Sequence, residues 1–411
     1  MRQGRVRVSV GLVRAEPLPE AAVPLVLLGV VPADAPLYAE RFPFNKVRAT
    51  RNGGADGAVE HLRFLGREDL SGLPGLSGPA PSTMRDAVRL AAAAGAPYVD
   101  VVLARHRDSQ AGVLGTDELA GLISPSLDLM PGCLVVFVDA AGPPALGQRD
   151  PLSVDARQQL LYQTIRTHAP GLTERYQIGL LDLFGPPDAL LERLPSADVS
   201  LVRWVGRRER LQAHGWRSGA AAVAGMLCQA DRLMTTGPEG ATVELGPGRA
   251  VRSDRRVMLG LEPAAPAAQI ADRALLQLVL QDEADQARVA GEDTLRRPVR
   301  AWPLAALRTL KILHLRVVRA AEPFVFRPVQ PLHAFALSMA VQEVLGPLTA
   351  AGVLVGPDGK GAPKVSSDLV TDPGAPGLSA TISAQIRPWC RGVEIRVGVA
   401  SGERATVEVA A

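Results

Sequence analysis

Both ends of the chain alternate between apolar and polar positions, a pattern that is typical of β-strands. At the N-terminus the pattern includes Arg5, Val6, Val8, Val10 and Leu12. At the C-terminus an alternating run covers 378–387, a turn covers 388–392, and the apolar positions of the next run are Val393, Ile395, Val397 and Val399. A last short run covers 406–409. The pattern predicts an N-terminal strand, and a C-terminal hairpin that is followed by a terminal strand.

Strands at both extreme ends have two explanations. Chain ends usually fray unless they are tied down, so both strands could complete a sheet of their own subunit. Alternatively, they could be extended β-arms that pair with neighbouring subunits, because an unpaired strand edge readily accepts a strand from another chain. The second explanation predicts a polymer that is linked by main-chain hydrogen bonds.

Between the two ends, short apolar runs without alternation are separated by helical patterns. Such runs lie at 98–104, 133–138, 178–183 and 199–204, and helices are predicted at 83–94, 153–168 and 219–232. An unbroken apolar run is typical of a strand buried on both faces, and strands that alternate with helices favour parallel pairing. We therefore predict an α/β fold with a mixed sheet core flanked by helices.

The rest of the chain is predicted to contain further helices. They lie near 267–281, at 304–321 and at 332–351, with a short strand at 324–326. We divide the chain into an N-terminal β-arm (1–14), a β/loop segment (15–83), an α/β domain (84–265), an acidic helix and linker (266–300), and a C-terminal α+β core domain with a terminal β-arm (301–411).

Composition and charge exclude several classes of protein. Of the 411 residues, 47% are hydrophobic and 21% are charged, so the chain can bury a large core. The net charge of +3 comes from mixed signs, which argues against a general nucleic-acid binder. No apolar run reaches the ~18 residues that a membrane-spanning helix needs, and the first residues lack the apolar region of a secretory signal. We expect a cytoplasmic protein without direct membrane insertion.

The sequence lacks the motifs of a nucleotide enzyme or a hydrolase. The phosphate-loop pattern fails at two positions around Lys360, and the spacing around Ser218 does not fit a nucleophile elbow. The three cysteines lie far apart and the six histidines are scattered, so we predict no metal and no cofactor. Asp100, Asp139 and Asp182 lie in or just after predicted strands and are weak catalytic candidates. Loop and cap hydrogen bonding is the alternative role for them.

Two helices of the C-terminal part have unusual surfaces. The helix at 304–321 carries basic side chains on one side, and these are Arg308, Lys311, Arg316 and Arg319. This side could be solvated, or it could dock against an acidic partner or the chain's own acidic stretch at 282–293. The helix at 332–351 has Glu343 as its single formal charge, which is typical of a helix that is buried or lies at an interface.

An ordered series of short motifs occupies the middle of the chain. It consists of the helix at 158–168, the strand Ile178-Gly-Leu-Leu-Asp182, the strand Ser200-Leu-Val-Arg-Trp204, the step Ser218-Gly219 into a small-residue helix, and Asp231-Arg232. After it come Arg319 to Pro328, a long helix, a Gly-rich loop and the closing hairpin. This order resembles contractile tail sheath proteins of phages and related injection systems. It departs from them in lacking an N-terminal Pro-Gly-Val-Tyr segment, and residues 1–75 are faintly similar to the small sheath subunit of type VI secretion systems.

The resemblance implies a structural subunit, and neither an enzyme nor a cofactor-binding protein. Such subunits polymerise around an inner tube and contract to drive the tube through a target membrane. The expected partners are further copies of the chain, the tube protein, and baseplate and terminator or cap proteins, without nucleic acid. The terminal arms would link subunits by strand exchange. The helices at 304–351, with Arg308, Lys311, Arg316, Arg319 and Glu343, would face the tube or a neighbouring subunit. An α/β enzyme or nucleotide-binding protein with an unrecognised site is the alternative.

Overall fold

A computed structural model describes residues 25–33, 50–51, 58–64, 83–107, 113–138, 154–183, 194–205, 218–235, 251–252, 258–262, 275–280, 287–290, 294–296, 304–325, 327–350, 352–370, 377–386, 391–400 and 406–410. The predicted N-terminal arm, with Arg5, Val6, Val8, Val10 and Leu12, lies outside these residues. So does Asp139.

One large mixed sheet forms the centre of the subunit. Its strands are β1 (Leu25–Pro32), β2 (Thr50–Arg51), β3 (Ala58–Phe64), β4 (Val99–His106), β5 (Leu134–Phe137), β6 (Ile178–Asp182), β7 (Val199–Val205), β8 (Val251–Arg252), β9 (Met258–Glu262), β10 (Leu275–Leu280) and β11 (Ala287–Ala290). They pair in the order β2-β3-β4-β1-β5-β6-β7-β10-β11-β9-β8. The stretch from β4 to β10 is parallel throughout, and antiparallel pairs extend it at both ends. The predicted α/β fold with a mixed sheet is confirmed.

Helices cover both faces of this sheet. Because successive strand residues point to opposite faces, Leu25 and Leu27 join one core and Val26 and Leu28 join the other. Helices α1 (Thr83–Ala93) and α4 (Gly219–Thr235) contribute to the first core, and α2 (Asp117–Asp128) and α3 (Val154–Glu174) to the second. Burying one such Leu or Val side chain stabilises the fold by about 1.5–3 kcal/mol.

The C-terminal part adds two helices and a second sheet. The helices are α5 (Leu304–Ala321) and α6 (Pro331–Ala350), and the strands are β12 (Leu354–Val355), β13 (Lys364–Val370), β14 (Gly377–Ile386), β15 (Arg391–Ala400) and β16 (Thr406–Ala410). The strand order is β12-β14-β15-β16, and β13 also pairs with β14. Apolar side chains of this part, including Leu313 and Ile382, join the first core, which therefore continues into the α/β sheet.

Two local predictions from the sequence are wrong. The helix expected near 267–281 is a strand over its last part, because β10 pairs in parallel with β7. A short apolar run fits either structure, and the neighbouring strand decides between them. The strand expected at 324–326 begins instead as a 3-10 turn over Glu322–Phe324, in which Pro323 favours the turn and the Val325 amide donates to the Glu322 carbonyl at 3.2 Å.

Within the described part of the chain, no helix is both long enough and apolar enough to cross a membrane.

Candidate functional site

The C-terminal strands are positioned by a sheet of their own subunit. Val393, Ile395, Val397 and Val399 lie in β15, which confirms the predicted strand. This strand pairs with β14 on one side, and over Glu394 to Gly398 it pairs with β16 on the other. The backbone groups of β15 are therefore largely engaged inside the subunit, and they are not offered as a free arm.

Among the described strands, this sheet ends at β16 on one side and at β13, with the two-residue β12 beside it, on the other. Among the described residues, β16 pairs with β15 alone and β13 pairs with β14 alone. On β13 the exposed side chains are Lys364, Ser366 and Asp368, while Val365 and Leu369 are half-buried and pack against the core. Each edge presents backbone donors and acceptors that can accept a further strand.

The basic side of α5 does not face solvent or a partner at its two central positions. Arg308 is 2% exposed, and its Nη1 donates to the carbonyl of Gly132 at 2.5 Å. Lys311 is 5% exposed, and its Nζ donates to Asp198 Oδ2. The prediction that these two residues lie at a tube or subunit interface is therefore wrong, because the N-terminal ends of β5 and β7 cover them. Arg316 is half-buried, and Arg319 is exposed in the last turn.

Asp198 collects several donors in a buried position. Besides Lys311, it accepts hydrogen bonds from Arg296 Nη1 at 2.6 Å and from Thr173 Oγ1 at 2.9 Å. Burial alone raises the pKa of this carboxyl, but the charges and hydrogen bonds of Lys311 and Arg296 outweigh burial and lower the pKa below its ordinary value. Asp198 therefore carries its charge at neutral pH and binds α5 to the sheet.

Helix α6 has one buried and one exposed side. The buried side chains are Ala334, Leu337, Ser338, Val341, Leu345 and Leu348. On the other side Leu332, Phe335 and Met339 are 69%, 62% and 49% exposed, and the exposed Glu343 follows one turn later. Spacings of three and four place these residues on one stripe of the helix. The sequence left burial and interface as alternatives for this helix; one side is buried, and the other side is exposed.

The strand-end aspartates have structural partners. Asp182 Oδ2 accepts a hydrogen bond from Ser218 Oγ at 2.6 Å, and its Oδ1 accepts one from the Ala220 amide at 2.9 Å. Asp182 thus caps the start of α4, and burial raises its pKa to about 6 although these hydrogen bonds oppose the rise. This matches the cap role that the sequence left open for it.

Asp100 lies inside β4 and is held by side chains of the neighbouring strand β3. Arg63 donates to its two carboxyl oxygens at 2.6 and 2.9 Å, and His61 Nε2 lies 3.4 Å from Oδ1. Burial opposes the charge of Asp100, but His61 and Arg63 outweigh it and lower the pKa. Both oxygens are therefore engaged. Within the described ranges, no group of three or more His, Cys, Asp or Glu side chains is placed to hold a metal ion.

Comparison with solved structures identifies the architecture. The helical sheath of the anti-feeding prophage in its contracted state aligns over 98% of this chain and 95% of its own chain, with 15% sequence identity and a TM-score of 0.50. The chain has the fold of a contractile sheath protein. The contracted sheath complex of PVC, an extracellular contractile injection system, aligns over 99% of this chain and 94% of its own at 14% identity and a TM-score of 0.49.

A sheath tail protein from Listeria innocua gives a more partial alignment. It covers 72% of this chain and 60% of its own chain, at 12% identity and a TM-score of 0.35. In sequence, no protein-family profile and no curated protein matches the chain.

Within this sheath fold, two of the motifs noted in the sequence touch each other. The strand that ends in Asp182 and the Ser218-Gly219 step meet through the hydrogen bond to the carboxylate. Ser218 Oγ in turn accepts a hydrogen bond from the Ala221 amide at 3.2 Å. Both motifs can be recognised in the sequence from their residue types and their order. Their contact depends on the parallel sheet, which places the end of β6 beside the start of α4.

The sequence missed two partners of α5, which are Asp198 and Tyr176; the ring of Tyr176 lies 4.3 Å, centre to centre, from that of His314. Both lie immediately before or between elements, where no periodic pattern marks them. The sequence offered one conditional signal for the pairing, because a basic side chain of α5 that is buried needs an acidic partner.

Proposed function

We propose that the chain is a structural subunit of a contractile sheath, which polymerises around an inner tube and contracts to drive the tube through a target membrane. The observation that carries this proposal is the near full-length likeness to the contracted sheath of the anti-feeding prophage. That likeness concerns the fold. The function follows only if copies of this chain assemble, and the strand edges support this step.

Assembly through strand pairing is supported by the C-terminal sheet. Its edge strands β13 and β16 each pair on one side among the described residues. We propose that the N-terminal arm of one copy, with Arg5, Val6, Val8, Val10 and Leu12, adds a strand to one of these edges in a neighbouring copy. The C-terminal arm, with Val393, Ile395, Val397 and Val399 in β15, contributes by holding β16 at the sheet edge. Main-chain hydrogen bonds give such a link, and they can persist while rigid bodies rotate.

Attachment to the tube is assigned to the exposed stripe of α6. Leu332, Phe335 and Met339 present apolar surface, and Glu343 adds one charge beside it. An exposed apolar patch rimmed by polar residues is typical of an interaction site. We propose the inner tube protein as the partner of this stripe, and baseplate and cap proteins as partners of the ends of the polymer.

The proposal also includes where the polymer assembles. Assembly takes place in the cytoplasm, and the finished particle is either anchored at a membrane or released. The sheath itself inserts into no membrane and needs no cofactor, because contraction consists of rotation and repacking of subunits.

Electron microscopy of the purified chain, paired with light scattering, tests the proposal. Hollow tubes of uniform width, together with scattering from large particles, are the expected result. Monodisperse particles that remain monodisperse in the presence of an inner tube protein would contradict it.

A further inference from the structure

Helix α5 lies across the N-terminal edge of the parallel strands. Arg308 contacts the carbonyl of Gly132, just before β5, and Lys311 contacts Asp198, just before β7. The ring of His314 lies 4.3 Å, centre to centre, from the ring of Tyr176, just before β6. Positions 308, 311 and 314 share one side of a helix. One side of α5 therefore meets three consecutive strand starts with polar and aromatic groups.

The adjoining side of α5 is apolar. Leu307, Leu310, Leu313 and Val317 are buried in the first core, to which α6 and β14 also contribute. The helix also packs against β15 and β16. It thus connects the edge of the α/β sheet, through polar and aromatic contacts, with the C-terminal sheet, through apolar contacts.

Two backbone positions show that the sheet edge is shaped to receive this helix. Gly132 has a φ of 76°, and a Cβ there would lie 2.7 Å from Leu315 Cδ2. Tyr176 has a φ of 59°, in the left-handed region. It follows the last turn of α3, where the Tyr176 amide donates to Thr173 and the Gln177 amide to Leu172, and this helix end favours glycine. A tyrosine there is strained, and the contact of its ring with His314 compensates.

We propose that α5 is a conformational latch, in which Lys311 with Asp198 and His314 with Tyr176 fix the register of the helix on the sheet edge. A buried ion pair adds little net stability compared with apolar packing, but a shift of α5 that parts Lys311 from Asp198 leaves the lysine charge buried without a carboxylate. Such a pair therefore disfavours every other register of α5. Through the latch, a displacement of β15 and β16 is passed to the α/β sheet. This property belongs to the single subunit and does not rest on the proposed sheath function.

Hydrogen–deuterium exchange on the full chain tests the latch with the variant Lys311→Met. Met keeps the length of the side chain, and Asp198 retains Arg296 and Thr173. We expect the amides of α5 to exchange at least about tenfold faster, while those of β1, β4 and β5 keep their wild-type rates. Arg319→Met is the matched control, because it removes a charge from an exposed position of the same helix and leaves all rates unchanged. Wild-type exchange in α5, or equally faster exchange in all elements, would overturn the proposal.

The variant Tyr176→Gly gives a second test that does not depend on folding around a buried charge. Glycine relieves the left-handed strain, so the end of α3 keeps or gains protection. If Tyr176 acts only as the cap of α3, exchange in α5 stays at the wild-type rate or slows. The latch predicts faster exchange in α5 despite the relieved strain, and an unchanged rate would count against it.

Discussion

The carboxyl group of Asp182 makes the stability of the fold depend on pH in an unusual direction. Its pKa of about 6 in the folded chain lies above the ordinary value of 3.8, because burial penalises the charge more than the hydrogen bonds from Ser218 and α4 favour it. Between these two values the folded chain holds the proton and the unfolded chain has released it. The free energy of unfolding therefore falls as pH rises through this window, and the loss is complete above about pH 6.

The structure gives the magnitude of this effect. Each pH unit between 3.8 and about 6 is worth about 1.4 kcal/mol, which gives at most about 3 kcal/mol. Asp182 is only half-buried as a residue, so solvent screening makes this figure an upper value. In Asp182→Asn the amide oxygen can still accept from the Ala220 amide, and the amide nitrogen can donate to Ser218 Oγ. The variant thus keeps the cap of α4 but has no titrating carboxyl group at position 182.

The assay compares the free energy of unfolding of Asp182→Asn and the wild type in denaturant from pH 4 to pH 8. The other titrating groups are shared, so their contributions cancel in the difference. We expect the difference to move in favour of the variant by about 2–3 kcal/mol up to about pH 6, and to stay level above it. Asp358→Asn, at an exposed loop position, is the control and should give a level difference. A level difference for Asp182→Asn over the whole range would refute the reasoning.

Further perturbations test the packing and the surfaces. Gly225→Leu should destabilise the fold by at least about 1–3 kcal/mol in denaturant, because even a Cβ there would lie 2.2 Å from the Ala91 carbonyl oxygen and 2.9 Å from Ala94 Cβ. Gly121→Ala, whose added Cβ meets nothing within 4 Å at an exposed position, should instead stabilise α2 by about 0.5–1 kcal/mol, and equal effects of the two variants would contradict this account. Phe335→Ser should leave the unfolding free energy within about 0.5 kcal/mol but abolish co-sedimentation with the tube protein, whereas Asp358→Asn, at an exposed loop position away from α6, retains it. Deletion of residues 1–13 should give a folded subunit that forms no filaments, and unchanged filaments would refute the arm assignment.

Much of the fold follows from local patterns in the sequence. The unbroken apolar runs correctly predicted β4, β5, β6 and β7, because a strand that is buried on both faces has no polar side. The run that became β10 was not separable from a helix, because its strand character comes from pairing with β7. That pairing joins residues about seventy positions apart, beyond the reach of any local pattern.

The candidate surfaces were less predictable, because they depend on which elements cover each other. Arg308 and Lys311 form a basic stripe that looks like a solvated or docking surface in sequence. They are buried because Gly132 and Asp198, more than a hundred residues earlier, arrive at the same sheet edge. Conversely, the apolar pattern of α6 left burial and an interface open for Phe335 and Met339, and only the structure shows that their side of the helix is exposed. Whether one side of a helix is buried depends on which other elements pack against it in the folded chain.

The most direct test of the sheath proposal is cryo-electron microscopy of the chain co-expressed with an inner tube protein. The account predicts a continuous sheath around the tube, in which the open edge of β13 or β16 in each copy is paired with a strand from a neighbouring copy. Bare tubes beside separate, unassembled copies of this chain would contradict it.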